Sequence, residues 1–329
     1  ISINLDSTAH AGIAASTATG EGTDTLSGFE NVAGSNIEDT IYGTNSKNII
    51  RGASSDDKLY GLDGDDTIYG DADADYIDGG DGADELYGGS GDDSFITTLG
   101  DDIIDGGTNS DTVDYSSINA ALNVTLGASG DATVTIDGTD TLTAIENLRG
   151  SNTQGDSIVG NAENNTLEGL GGNDTLKGAA GEDNLQGGSG NDRIFAGSGN
   201  DTIDGGSDTT GDWLDYTDTT NAMNVDLHAG TATGNGNDTI TNIEHILTGN
   251  DDDIIQGNIY DNSIVAGSGN DTLTFNNATS SVVINVSNND GTSTGFGNDT
   301  FEDFENFVGS AQTDTLVTNS IDNITFDGA

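Results

Sequence analysis

Apolar side chains recur at Ile41, Ile50, Leu59, Ile68, Ile77, Leu86, Phe95, Ile104 and Val113, a step of nine residues held without a slip. Two places before each stands an Asp or Asn: Asp39, Asn48, Asp57, Asp66, Asp75, Asp84, Asp93, Asp102 and Asp111. Glycines fill the intervals, as in GGDGADEL (79–86) and GGSGDDSF (88–95). The unit reads GGxGxDxUx, with U apolar. Its first six residues predict a turn, since glycine takes positive φ cheaply and Asp favours turns. The remaining xUx is a short strand with U as its inward residue. One unit is half a coil, so two units, eighteen residues, close a coil with a strand on each of two parallel sheets.

Stacked strands lie about 4.7–4.9 Å apart, so residues eighteen apart sit above one another. One edge then carries Asp39, Asp57, Asp75, Asp93 and Asp111, and the other Asn48, Asp66, Asp84 and Asp102. The pattern resumes with Asp156, Asn165, Asp174, Asp183, Asp192 and Asp201, followed by a two-residue insertion before Asp212. It returns as Asp253, Asn262 and Asp271, and last as Asp314 with a degenerate turn near Asp322 and Asn323. Columns of carboxylates at this spacing repel strongly at low dielectric. A cation between them is required. Calcium suits best, because it takes about 6–8 oxygens and mixes carboxylates with backbone carbonyls; magnesium demands a stricter octahedron. The candidate pairs are Asp39/Asp57, Asp57/Asp75, Asp75/Asp93, Asp93/Asp111, Asp66/Asp84, Asp84/Asp102, Asp156/Asp174, Asp174/Asp192, Asp183/Asp201 and Asp253/Asp271. The turns before Asp57 (GASSDD) and Asp75 (GDADAD) lack the fourth-position glycine, and Asn48 and Asn165 lack the carboxylate, so weak or empty sites are expected there.

These units resemble the RTX (repeats-in-toxin) calcium-binding nonapeptides, best at 79–87, 88–96 and 187–195. The resemblance implies an all-β, right-handed parallel β-roll, multiple calcium ions, type I secretion, folding on calcium outside the cell, and a place as tail or module of a larger protein.

A longer repeat overlies the short one. GTDTLSGFENVAGS (22–35) returns as GTDTLTAIENLRGS (138–151), GNDTITNIEHILTG (236–249) and GNDTFEDFENFVGS (297–310). Alternating strand residues precede each copy: ISINL (1–5), LNVTL (122–126), MNVDL (223–227) and VVINV (282–286). The expected divisions are 1–111, 112–212, 213–275 and 276–329, stacked as one continuous solenoid and read as a rigid rod. DYSSINAALNV (114–124) answers DYTDTTNAMNV (215–225), and the first copy has no such half, which suggests a segment of a longer protein.

Composition changes the picture in one respect. Of 329 residues, 58 are Asp or Glu against six Lys or Arg, for a net charge of −52, and only 32% are apolar. Such a chain should be disordered unless bound cations neutralise it, so metal binding and folding should share one free energy. The charge argues against nucleic acid or an anionic membrane as partner. No Cys is present to form a disulfide, no apolar run is long enough to span a membrane, and the first residues show no secretory signal pattern.

Other candidates have plain alternatives. Tyr42 and Tyr60, and Tyr69 and Tyr87, should face outward in stacked pairs, able to meet glycan or a neighbouring molecule, or present only for strand propensity. Glu30, Glu146, Glu244 and Glu305 recur as calcium ligands or turn-fixing residues. His10, His228 and His245 do not cluster, and no GxSxG elbow occurs. The expected function is therefore a non-enzymatic, extracellular calcium-binding structural module of a surface layer, filament or adhesin, self-assembling or contacting cell-surface components. The alternatives are the calcium-binding tail of a secreted enzyme and a calcium-dependent glycan-binding module.

Overall fold

The computed structural model describes residues 1–8, 17–20, 23–97, 99–136, 138–207, 209–318 and 324–328. His10, Asp322 and Asn323 lie outside the described residues. The described chain is all β-strand, turn and bend. It divides into two compact units, residues 1–161 with 166–170, and residues 162–165 with 171–329.

In the first unit, the nine-residue step produces two parallel sheets. One contains Thr40–Tyr42, Lys58–Tyr60, Tyr76–Asp78, Ser94–Ile96 and Thr112–Asp114, paired so that Ile41, Leu59, Ile77, Phe95 and Val113 stand in register. The other contains Ile49–Ser54, Thr67–Ala72, Glu85–Ser90 and Ile103–Thr108, aligning Ile50, Ile68, Leu86 and Ile104. All nine of these apolar side chains are at most 1% exposed. They form a core one residue wide from each sheet, so no other position of the unit needs to be apolar. That is how a chain this polar folds. The second unit repeats the scheme: Leu185 aligns with Ile203, and Leu176 with Ile194, all fully buried.

The longer repeat is not simply a wider coil. After Thr112–Asp114 the chain overshoots, forming Asn123–Thr125, and reverses through Ala132–Thr135 into Thr139–Thr143, which lies antiparallel to Ala132–Thr135. Thr139–Thr143 docks in parallel on Ile103–Thr108, while Asn123–Thr125 takes Ser157–Val159 from beyond the insert. The insert, a meander, thus adds Ala132–Thr135 and Thr139–Thr143 to the sheet of Ile103–Thr108 and starts another sheet with Asn123–Thr125, while Asn147–Arg149 continues the sheet of Thr112–Asp114. The second unit has two such meanders. In one, Asn224–Asp226, Thr231–Thr233 and Asn237–Thr241 pair antiparallel; in the other, Val283–Ser287, Asp290–Thr294 and Asn298–Glu302 do so. Ser2–Asn4, Thr17–Thr19 and Thr23–Thr25 form the corresponding meander of the first copy.

Candidate metal centres

Each turn Asp from Asp39 to Asp271 sits at a coil corner and is buried, because the strand starts at the next residue and U, two residues on, enters the core. The columns form as the eighteen-residue step requires. Each Asp uses Oδ1 to accept the backbone N–H of the Asp one coil earlier. On one edge Asp57 accepts from Asp39 (2.7 Å), Asp75 from Asp57 (2.8 Å), Asp93 from Asp75 (2.8 Å) and Asp111 from Asp93 (2.8 Å). On the other, Asp66 accepts from Asn48 (2.6 Å), Asp84 from Asp66 (2.7 Å) and Asp102 from Asp84 (2.9 Å). In the second unit the same bond joins Asp174 to Asp192 (2.7 Å), Asp183 to Asp201 (2.9 Å), Asp192 to Asp212 (2.7 Å) and Asp253 to Asp271 (2.8 Å). Asp156 belongs to the first unit, where its Oδ1 accepts from Leu122 at 2.7 Å, and Asp174 belongs to the second.

The second carboxylate oxygen behaves differently. In Asp57, Asp66, Asp75, Asp84, Asp93, Asp111, Asp183, Asp201 and Asp271, Oδ2 is buried and accepts no hydrogen bond. A buried carboxylate left half-satisfied is costly. Burial first, and then the neighbouring carboxylates of the column, push Asp75, Asp84, Asp111 and Asp201 up to about 7. Burial likewise raises Asp57, Asp66, Asp93, Asp102, Asp183 and Asp271 to about 6. Among the described residues, the arginine ion pairs Arg51–Asp71, Arg149–Asp114, Arg149–Glu168 and Arg193–Asp215 are made to other carboxylates.

The backbone around these orphaned oxygens is held in an unusual shape. In the glycine-rich turns the second and fourth residues take left-handed φ, at Gly80 (87°) and Gly82 (156°) before Asp84 and at Gly89 (113°) and Gly91 (136°) before Asp93. Where glycine is missing the conformation persists: Ala53 (98°) and Ser55 (76°) precede Asp57, and Asp71 (79°) and Asp73 (73°) precede Asp75. Each such residue costs on the order of 1 kcal/mol or more. The turns of Asp57 and Asp75 thus keep the geometry at the expense of strain. The first glycine answers to space instead. A Cβ on Gly79 would fall 2.3 Å from Asp84 Oδ2, and one on Gly88 2.2 Å from Asp93 Oδ2. Carbonyls line the same gap, since Cβ atoms on Gly80 and Gly82 would meet Leu62 O at 1.7 Å and Gly64 O at 2.0 Å.

Orphaned carboxylate oxygens, carbonyls facing them and a strained turn together fit a hard cation with oxygen ligands. No three His, Cys, Asp or Glu side chains of the described residues converge as a metal site, so carbonyls must complete any coordination shell. Calcium accepts that mixture, and Asp66/Asp84 and Asp84/Asp102 are pairs that would hold it.

Residues other than the nine-step aspartates continue the columns, three of the recurrent glutamates among them. Glu146, Glu244 and Glu305 take an aspartate's place, each Oε2 accepting the N–H of Asp111 (2.9 Å), Asp212 (3.1 Å) or Asp271 (3.0 Å). Asp140, Asp238 and Asp299 of the meanders accept the N–H of Asp102, Asp201 and Asn262 at 3.1, 3.2 and 3.1 Å. Their second oxygens accept hydroxyls from Tyr115 (3.2 Å), Tyr216 (2.7 Å) and Ser293 (2.7 Å). The Asp of each repeated GxDT phrase and the Tyr of the DY dipeptide were the available signals, but only spacing across the meander joins them.

The paired tyrosines spend their faces on one another. Tyr42 and Tyr60 stack at 4.5 Å and 6°, and Tyr69 and Tyr87 at 4.9 Å and 9°, with Arg51 over Tyr69 at 4.1 Å. Tyr42 is buried, and Tyr60, Tyr69 and Tyr87 are half-buried. His245 is equally occupied: Nδ1 accepts the Ser263 N–H at 3.1 Å and Nε2 donates to Thr210 O at 2.8 Å.

Parallel coils with oxygen-lined corners, set for calcium along their edges, make this a metal-stapled β-roll. The chain belongs to the RTX calcium-binding nonapeptide repeat family, matching it at residues 33–68, 42–77, 51–86, 60–95, 87–117, 151–185, 177–209 and 247–277, more than half of its length. No curated protein matches the sequence as a relative. The chain is thus a calcium-binding RTX β-roll protein that takes several ions.

Proposed function

We propose that this protein is a non-enzymatic, extracellular structural module, part of a surface layer, filament or large adhesin, made rigid by calcium. The observation that carries the reading is the ladder of buried carboxylate oxygens without hydrogen bonds, repeated coil after coil in both units. At low calcium the ladder opposes folding; at the millimolar calcium outside cells it is the seat of stability. An acidic chain kept unfolded inside and condensed outside suits export followed by assembly. Repeats and meanders occupy nearly all of the described chain, which favours a structural role over catalysis. With the faces of Tyr42, Tyr60, Tyr69 and Tyr87 turned to one another, a contact with neighbouring protein is favoured over sugar stacking.

The test is far-UV circular dichroism against calcium and, separately, magnesium, with light scattering on the same samples. A calcium-specific coil-to-β transition accompanied by particle growth is expected. Calcium-specific folding to a lasting monomer would favour a secreted enzyme's tail instead, and full β-structure in chelator would remove the basis of the proposal.

A further inference from the structure

The turns of this chain are of two kinds, distinguished by the residue four places before the column Asp or Asn. In the turns of Asp66, Asp84 and Asp93 that residue is Leu62, Gly80 or Gly89, with φ of 82°, 87° and 113°. The left-handed peptide turns its N–H away, and Oδ2 is left without a hydrogen bond. Five of the turns that follow a meander are built otherwise. There Gly is followed by Ser, Thr or Asn with no left-handed φ, and the backbone N–H reaches the side-chain oxygen itself. Ser35 donates to Asp39 Oδ2 (2.5 Å), Thr44 to Asn48 Oδ1 (2.6 Å), Asn258 to Asn262 Oδ1 (2.9 Å) and Ser310 to Asp314 Oδ2 (2.8 Å). Ser151 does the same for Asp156 Oδ2 at 2.6 Å across a one-residue longer turn.

At two of these turns the substitute is complete. The Asn48 amide nitrogen donates to Glu30 O (2.9 Å), and that of Asn262 to Glu244 O (3.0 Å), each a carbonyl one coil earlier. A side-chain N–H spans the coil gap where a cation would otherwise be needed. The meanders apply the same device with hydroxyls, Tyr115 and Tyr216 answering Asp140 and Asp238.

We infer that calcium binds at the left-handed turns, while the turns of Asp39, Asn48, Asp156, Asn262 and Asp314, closed by their own N–H groups, take no ion. These closed turns, with the meanders that precede them, are metal-independent seams between calcium-dependent arrays. The difference is visible in sequence, GTNSKN (43–48) against GGDGAD (79–84), which share only their first glycine. Asp39 and Asp156, column carboxylates by spacing, fall on the closed side of this division. The inference rests on the calcium reading of the open turns, and one experiment separates the two.

The full chain is crystallised with terbium in place of calcium and anomalous maps are calculated. Ions are expected beside Asp66, Asp84 and Asp93, with none beside Asn48, Asn262 or Asp39. An ion at Asn48 or Asn262 overturns the division of turns; no ion at any open turn overturns the calcium reading beneath it. A second arm compares the double variant Thr44→Gly, Asn48→Asp with the parent by native mass spectrometry in calcium. An added bound ion is expected, and an unchanged count in a variant with the parent's circular dichroism spectrum overturns the inference.

Discussion

Replacing Asp84 by Asn should have opposite effects with and without calcium. Asp84 is central to its edge: its N–H bonds Asp102, its Oδ1 accepts from Asp66, and its Oδ2 is one of the buried orphans. Burial and the flanking Asp102 and Asp66 raise it from 3.8 to about 7. The folded state therefore holds the proton more tightly than the unfolded state. Without metal, stability is greatest below about pH 4 and is lost as the pH rises through about 7. A rise of that size sets a ceiling of about 4 kcal/mol at pH 8. Solvent screening at the edge of the roll lowers that to about 2 kcal/mol. Asn keeps the Oδ1 acceptor but carries no charge, so in chelator the variant gains this amount.

Seven raised carboxylates, Asp57, Asp66, Asp75, Asp84, Asp93, Asp102 and Asp111, titrate together in the first array. If about half are protonated at the midpoint, stability changes by roughly 5 kcal/mol per pH unit. A gain of about 2 kcal/mol then moves the midpoint of acid-induced folding upward by about 0.4 pH unit. The assay is far-UV circular dichroism in EGTA from pH 8 down to 5, above the isoelectric region near 4.1, with scattering monitored throughout. In calcium the same change removes one carboxylate from two adjacent candidate sites and should raise the calcium midpoint roughly ten-fold or more. A chelator midpoint that stays put or falls, or an unmoved calcium midpoint, would refute the reasoning.

Gly88→Ala places a Cβ 2.2 Å from Asp93 Oδ2 and 2.6 Å from Gly106 O, and should cost about 2–4 kcal/mol in calcium-bound urea melts. Gly28→Ala, with φ of 69° and open space around it, should cost only about 1 kcal/mol in the same assay. Leu86→Ala empties a core position that is 1% exposed and should cost about 2–5 kcal/mol, while bound calcium counted by native mass spectrometry stays unchanged. Tyr216→Phe strips the hydroxyl from buried Asp238 and should lower stability by about 1–3 kcal/mol in a urea titration followed through Trp213 fluorescence.

The parts of this fold visible from sequence are those with a local cause. A nine-residue step places Ile41 over Leu59 and Asp39 beside Asp57 because strand spacing and turn length leave no other register. The overshoot of Asn123–Thr125 past its neighbours was not legible, since its partner Ser157–Val159 lies on the far side of the insert and nothing local marks the pairing. The Glu of the repeated phrase was legible as recurrent but not as a column member. Its longer side chain reaches the Asp111 N–H from a coil offset of 35 residues rather than eighteen. The closing of Asn48 by Thr44 also went unread, because Thr for Gly at the second turn position looks like mere degeneration. What that change does is reverse a peptide plane.

A lattice of identical rungs has a hazard that its chemistry cannot remove. Sliding one nonapeptide strand along its neighbour by eighteen residues again sets Asp over Asp and U over U, so the arrays are translationally degenerate, and any number of misaligned stacks would be nearly isoenergetic. The meanders break that degeneracy. Thr112–Asp114 finds Asn147–Arg149 at an offset of 35, and Ile103–Thr108 finds Thr139–Thr143 at 38, offsets that no pair of plain repeats reproduces. They act as index marks on a ruler whose divisions are otherwise alike, and so bound how far any stretch can slip before the mismatch is felt.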